Sequence, residues 1–289
     1  MRKILAILAL VAVFLFVAFI ATYTSILQTE KNDSKIIVVV TIPPQAEFVE
    51  KIGGDKVKVI VMVPPQASPH VYEPTPSQLK EVSKAKLYAK VGSGIEFERV
   101  WLNKILSLNK KMLVVDCSRG VKTIEKKGYV DPHIWLSPKN AKIMVENIAQ
   151  GLIKVDPKNR EYYEKNKEEY IRELDALDKK IAQMLSKKKN RKILVYHPSW
   201  TYFARDYDLE QISIEENGKE PTPQYLMSVI KEAKDSNITT IFVSPQFNIK
   251  NAEIIAKEIN AKIEVVDPLA RNYTANMLKV AKSFAKALK

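Results

Sequence analysis

Cysteine is all but missing from this 289-residue chain, with Cys117 the single example. An intramolecular disulfide and a cysteine-based zinc site are therefore both excluded. Cys117 closes the apolar run Met112-Leu113-Val114-Val115-Asp116, where it reads as a small buried thiol. The lack of disulfides does not fix the compartment, because a chain with 46% hydrophobic residues can bury a core without covalent staples. Zinc-finger, RNP and helix-turn-helix signatures are also absent. The net charge of +13, from 46 Lys+Arg against 33 Asp+Glu, is spread along the whole chain and forms no stripe, so nucleic acid is not an expected partner. It reads as a solvated Lys/Glu-rich surface with some attraction to an anionic membrane face. No H-E-x-x-H motif is present either.

Histidine is scarce, and all three copies stand beside a proline: Ser68-Pro69-His70, Asp131-Pro132-His133 and Tyr196-His197-Pro198. Val266-Asp267-Pro268 repeats the pattern with a carboxylate. An X-Pro bond restricts both residues to extended or turn conformations, so these side chains belong to stiff loops. Each lies at the end of an apolar β-branched run or a few residues beyond one. Three imidazoles and a carboxylate collected in one place would make a ligand set for a first-row transition metal.

Residues 4–21 are eighteen consecutive apolar residues behind Arg2 and Lys3. That run is longer than the core of an ordinary signal peptide and close to the roughly 20 residues that span a bilayer. The basic residues should stay cytoplasmic, placing everything after about residue 25 outside. Residues 1–25 are read as a membrane anchor, with a cleaved signal peptide the alternative, and 26–35 as a tether. No cysteine lies nearby for a lipid anchor.

Beyond the tether, two similar series of strands alternate with helices. Strands are expected at 36–41, 57–63, 86–91 and 112–116, then at 192–196, 211–214, 239–243 and 262–266. Helices are expected at 45–52, 76–84, 138–152, 222–235 and 250–259. Short apolar strands alternating with helices imply parallel sheets with right-handed crossovers. A helix at about 157–188 separates the series, with Asp156 as N-cap and Pro157 in the first turn. Tyr163, Tyr170, Leu174, Leu177, Ile181 and Met184 form one apolar stripe along its roughly 45 Å. The expected architecture is α/β: two lobes, 36–155 and 190–289, each with a four-stranded mostly parallel sheet flanked by helices, joined by one long rigid helix at 156–189. Ligands of open parallel sheets sit at the carboxyl ends of strands, which is where His70, His197 and Asp267 fall. His133 sits in the loop that opens the helix at 138–152. Two ligands from each lobe would place a metal in the cleft between them.

Three runs carry a resemblance: Pro69-His70-Val71-Tyr72-Glu73-Pro74-Thr75-Pro76, Asp131-Pro132-His133-Ile134-Trp135-Leu136-Ser137-Pro138 and Tyr196-His197-Pro198-Ser199-Trp200-Thr201-Tyr202-Phe203. Gly218-Lys219-Glu220-Pro221-Thr222-Pro223 and Ser244-Pro245-Gln246-Phe247 extend it. In this order, over about residues 36–288, they resemble the zinc/manganese solute-binding proteins of ABC transporters. The resemblance implies two α/β lobes on one long helix, metal capture between the lobes, and delivery to a membrane permease driven by a cytoplasmic ATPase. It places the family's motif histidines on His70, His133 and His197, and the carboxylate found in some members on Asp267. Two departures are visible. Residues 117–130 contain none of the histidines of a capture loop, and Ser244 stands where relatives often carry an acid.

Three neutral imidazoles favour zinc, copper or nickel over magnesium or calcium. The resemblance selects zinc, since manganese and iron members typically replace one histidine by a carboxylate; manganese remains the second possibility. Asp267 or a water would complete the site. Glu73, three residues after His70, is a candidate to orient an imidazole, with simple surface solvation the alternative. Trp135, Trp200, Tyr202 and Phe203 are read as core and cleft walls. The expected protein is an exported monomer that binds Zn2+ as its solute and performs no catalysis. A zinc hydrolase and a metal-binding surface adhesin are the alternatives.

Overall fold

The computed structural model describes residues 15–17, 19–20, 35–126, 128–215, 221–247 and 250–288. The first segment is described only at Leu15, Phe16, Val17, Phe19 and Ile20, which are helical and exposed. The apolar anchor expected over 4–21 and the tether therefore lie largely outside the described residues, as does the Gly218-Lys219-Glu220 part of the motif. Among the described residues no helix is long and apolar enough to cross a membrane.

Each expected strand is present within a residue or two. The first lobe runs β1 (Ile36–Val40), α1 (Pro43–Gly53), β2 (Val57–Val61), α2 (Pro76–Val82), β3 (Leu87–Lys90), α3 (Glu96–Leu108), β4 (Leu113–Asp116), β5 (Glu125–Lys126), β6 (Tyr129–Val130) and α4 (Pro138–Val155). Its parallel sheet has the order β2-β1-β3-β4. The second lobe runs β7 (Lys192–Val195), α6 (Thr201–Asp206), β8 (Glu210–Ser213), α7 (Pro223–Asp235), β9 (Thr240–Val243), α8 (Lys250–Glu258), β10 (Lys262–Val265) and α9 (Tyr273–Ala287), with sheet order β10-β9-β7-β8. In both sheets the chain crosses from one side of the first strand to the other, between β1 and β3 and between β7 and β9. These are the switch points where loops diverge and leave a crevice. The antiparallel hairpin β5–β6 was not expected; two residues per strand carry no readable alternation.

The long helix α5 (Arg160–Leu185) buries Tyr163, Tyr170, Leu174, Leu177, Ile181 and Leu185, the stripe seen in the sequence except that Leu185 takes the place of Met184, which is only half-buried. It packs on α1 and α4 of the first lobe and on α9 of the second. The three-way joint with α1 and α9 is aromatic. Phe48 meets Tyr273 edge-on at 4.9 Å and Tyr170 at 6.1 Å. At about 1.5–3 kcal/mol per fully buried apolar side chain, the stripe outweighs helix propensity as the reason this segment packs as a helix against both lobes. Asp156 does not cap α5 with its side chain as expected. A 3-10 turn at Pro157–Asn159 intervenes, and Asp156 Oδ2 instead accepts from Tyr163 Oη at 2.7 Å and Asn159 Nδ2 at 2.6 Å. Ser137 does cap α4, accepting from Asn140 N at 3.0 Å. Gly151 lets α4 lie close on the sheet, since a Cβ there would meet Val115 Cγ2 at 2.4 Å. Cys117 is fully buried, and burial pushes its thiol pKa up, leaving it neutral and unreactive.

Candidate metal centre

His70 follows β2 through a proline-braced turn. Ser68 O accepts from Val71 N at 3.2 Å and Tyr72 N at 3.1 Å, and Ser68 Oγ accepts from His70 N at 3.3 Å. His70 Nδ1 lies 3.0 Å from Glu96 Oε2, at the first residue of α3. The adjacent His70 imidazole is the main cause that holds the Glu96 carboxyl down to about 2. Gly92, in the loop before α3, adopts φ +85°, and a Cβ there would strike Asp116 Oδ1, so this tight turn requires glycine.

His133 precedes a 3-10 turn at Ile134–Leu136 and is buried. Asp131 Oδ1 accepts from both His133 N and His133 Nδ1 at 2.9 Å, which locks backbone and ring together. Burial raises the Asp131 carboxyl, but the adjacent His133, with its ring and backbone hydrogen bonds, outweighs it and the net shift is downward. The loop is braced from both lobes: Ser93 Oγ donates to Pro132 O at 2.5 Å, Tyr202 Oη to Asp131 O at 2.8 Å, and Trp135 Nε1 to Pro268 O at 2.7 Å.

His197 leaves the end of β7, is buried, and stacks on Phe247 with centroids 4.7 Å apart. Its Nδ1 lies 2.6 Å from Glu215 Oε2, just past β8. Burial lowers the His197 pKa, and Glu215 only partly opposes the shift, so the ring is neutral near pH 7.

The three imidazoles converge, with one ligand atom of each within 4.8 Å of the others. His133 Nε2 and His197 Nε2 are 3.3 Å apart. Two nitrogens bound at about 2.05 Å with a tetrahedral angle would be separated by about 3.3 Å, so this pair already has the spacing of a zinc site. Each Nδ1 faces a carboxylate, an acceptor when ionised, so the ring proton belongs on Nδ1 and the lone pair on Nε2. Unprotonated nitrogens directed at one point repel each other until a cation sits between them. The chemistry on offer is coordination of a borderline-soft divalent ion.

Asp267, the fourth expected ligand, is not in this cluster. Its Oδ1 accepts from Gln246 Nε2 and Leu269 N, both at 2.9 Å. Glu73 is exposed and is not the residue found beside His70; Glu96 stands there instead. Sequence reasoning missed Glu96 and Glu215, which only the fold brings to the rings. The spacing of Asp131 to His133 was a signal it did not use. Trp135, Trp200, Tyr202 and Phe203 are buried as expected. A wider groove of about 840 Å³ lies between α1, α5 and α9, but four of its charges form ion pairs (Lys51–Glu173, Arg271–Glu50), Glu47 accepts from Tyr170 and Thr274, and it offers no imidazole.

This geometry agrees with what the chain is similar to. Residues 38–287 match the family described as zinc-uptake complex component A, periplasmic. The chain is 30% identical over 280 residues to the high-affinity zinc uptake system protein ZnuA of Bacillus subtilis, covering 89% of this chain and 86% of that one. It is also 30% identical over 264 residues to the manganese ABC transporter substrate-binding lipoprotein of Streptococcus gordonii, covering 86% and 84%. A crystal structure of ZnuA superimposes with a TM-score of 0.85 at 44% identity, covering 88% of this chain and 99% of that one. A zinc-bound ZnuA deletion mutant matches equally well, with a TM-score of 0.85 at 44% identity and coverage of 88% and 98%. The fold and the site define a metal-capturing substrate-binding protein, not an enzyme. The chain belongs to the ZnuA family of ABC-transporter substrate-binding proteins.

Proposed function

We propose that this chain captures zinc outside the cytoplasm between its two lobes and delivers it, as a monomer, to an ABC permease coupled to a cytoplasmic ATPase. Manganese is the second metal the site could take. His70, His133 and His197 are the ligands, with Nε2 of each toward the ion, and the apolar segment at 4–21 tethers the protein to the outer membrane face. The lobes are residues 36–155 and 190–289 and the connecting helix is 156–189. The observation that carries this reading is the convergence of three imidazoles, each with a carboxylate beside its Nδ1. Such a pairing fixes the tautomer and raises ligand basicity. It also argues against hydrolysis, since all three carboxylates beside the cluster are committed to imidazoles and none is left as a general base.

Titrating the metal-free protein with zinc against a competing chelator tests this. One ion per chain at sub-micromolar Kd, abolished by His133→Ala, is the expected result. No saturable binding, or binding indifferent to His133→Ala, refutes it.

A further inference from the structure

The turns that lead into β3 and β4, at the amino ends of the first sheet, carry lysines. Asn109 ties the two turns together: its Nδ2 donates to Val82 O at 3.3 Å, Ser83 O at 3.1 Å and Ala85 O at 2.8 Å. Lys84 and Lys86 of one turn are thereby set beside Lys110 and Lys111 of the other, with Lys104 in the last turn of α3, and all five are exposed. Glu81, in the last turn of α2, is taken by Lys84 at 2.9 Å and Lys58 at 3.8 Å. Among the described residues, Lys86, Lys104, Lys110 and Lys111 have no carboxylate within ion-pair distance. Leu108 ends α3 amid these lysines and is 44% exposed. An apolar side chain flanked by lysines suits the boundary between charged headgroups and acyl chains. The chain also enters the lobe at this edge, since Ile37 O at the start of β1 accepts from Lys86 N at 2.9 Å. Residues 22–36 lead there from the apolar run at 4–21, a stretch that spans at most about 50 Å when extended.

We infer that this lysine edge of the first lobe docks on the anionic phospholipid headgroups of the membrane that holds the chain. The inference rests on the reading of residues 4–21 as a membrane tether. A tether keeps the edge at high effective concentration over the lipid. Each lysine near an anionic surface then strengthens attachment about fivefold, enough in sum to hold the edge down, while screening by salt keeps the attachment reversible. The loops of His70 and His133 lie at the carboxyl ends of the same sheet. With the amino edge on the lipid, these ligands point away from it, toward the medium from which metal is captured.

The test reconstitutes the full chain in vesicles of phosphatidylcholine, or of an equal mixture of phosphatidylcholine and phosphatidylglycerol. Cys117 is fully buried, so a thiol introduced as Ser83→Cys takes a fluorophore selectively, and energy transfer to a headgroup acceptor reads how close this edge lies to the lipid. Transfer should be higher in the mixed vesicles, and the difference should vanish at about 0.5 M salt and in the triple variant Lys86→Glu, Lys110→Glu, Lys111→Glu. Lys187→Glu, Lys188→Glu and Lys189→Glu, just after α5, make the same change in net charge and should leave the difference in place. Glutamine at positions 86, 110 and 111 provides the same comparison should the glutamates prevent folding. Equal transfer in the two lipids, or equal loss in the two triple variants, would overturn the proposal. A chain that does not float with phosphatidylcholine vesicles would instead overturn the tether. In that event flotation with the mixed vesicles, lost only in the first triple variant, would still uphold the lysine surface, and its absence would overturn that surface as well.

Discussion

Replacing Glu215 by glutamine should separate a metal site tuned from behind its ligands from a fortuitous cluster of histidines. The Glu215 and His197 side chains are 8% and 6% exposed and 2.6 Å apart, so water cannot substitute for the lost charge. Removing such a partner of a metal-binding imidazole weakens affinity about 10- to 100-fold, or about 1.4–2.8 kcal/mol. The other pairs form an internal scale. Asp131 is nearly as buried beside His133, and Asp131→Asn should fall in the same range. Glu96 and His70 are 30% and 28% exposed, so water can partly replace the carboxylate and Glu96→Gln should cost less, under about tenfold. Glu73→Gln, on the exposed surface, should cost nothing measurable. The assay is competition for zinc against a chromophoric chelator, with thermal melting of the metal-free forms to confirm folding. Loss of less than twofold from Glu215→Gln, or equal losses from Glu215→Gln and Glu73→Gln, would refute the claim that the carboxylates set the site.

Acid should destabilise the metal-free protein in two steps. The folded His197 pKa lies below the ordinary 6.5, so as pH falls past about 6.5 the unfolded chain takes a proton that the folded one refuses, and stability drops. Glu96 is held near 2 against an ordinary 4.5, so its contribution is lost as pH falls from about 4.5 to about 2. Tm against pH should therefore decline in both windows, and a flat profile from pH 7 to 3 would contradict the assigned pairings. Ser137→Ala removes the cap of α4 and a hydrogen bond to buried Asp206; urea unfolding should show a loss of at least about 1 kcal/mol. Leu174→Ala, in the buried stripe of α5, should cost about 2–5 kcal/mol in the same assay, whereas a loss under 1 kcal/mol would mean that the joint between helix and lobes is not tightly packed.

The strands and the long helix were legible because their signals are local. Runs such as Ile36–Val40 and Lys192–Val195 are short, β-branched and bounded by turns, and the stripe on α5 keeps one face over many turns. The histidines were legible because each sits in a proline-stiffened loop whose position depends on its own strand. What escaped notice is tertiary. Glu96 begins a helix and Glu215 follows a strand, and neither position says which imidazole it will meet. Asp267 lies at the strand end where it was expected, but its carboxylate is engaged by Gln246, a contact invisible to periodicity. The β5–β6 hairpin is too short to leave a pattern. The apolar run at 4–21, expected to be a membrane anchor or signal peptide, falls almost entirely outside the described residues.

Anomalous diffraction at the zinc edge, on crystals of the zinc-loaded full chain, tests the central claim most directly. One peak should lie about 2.0–2.1 Å from Nε2 of His70, His133 and His197 together, with each Nδ1 still turned to its carboxylate. A peak bound through Nδ1, or one that leaves any of the three rings uncoordinated, would contradict the account.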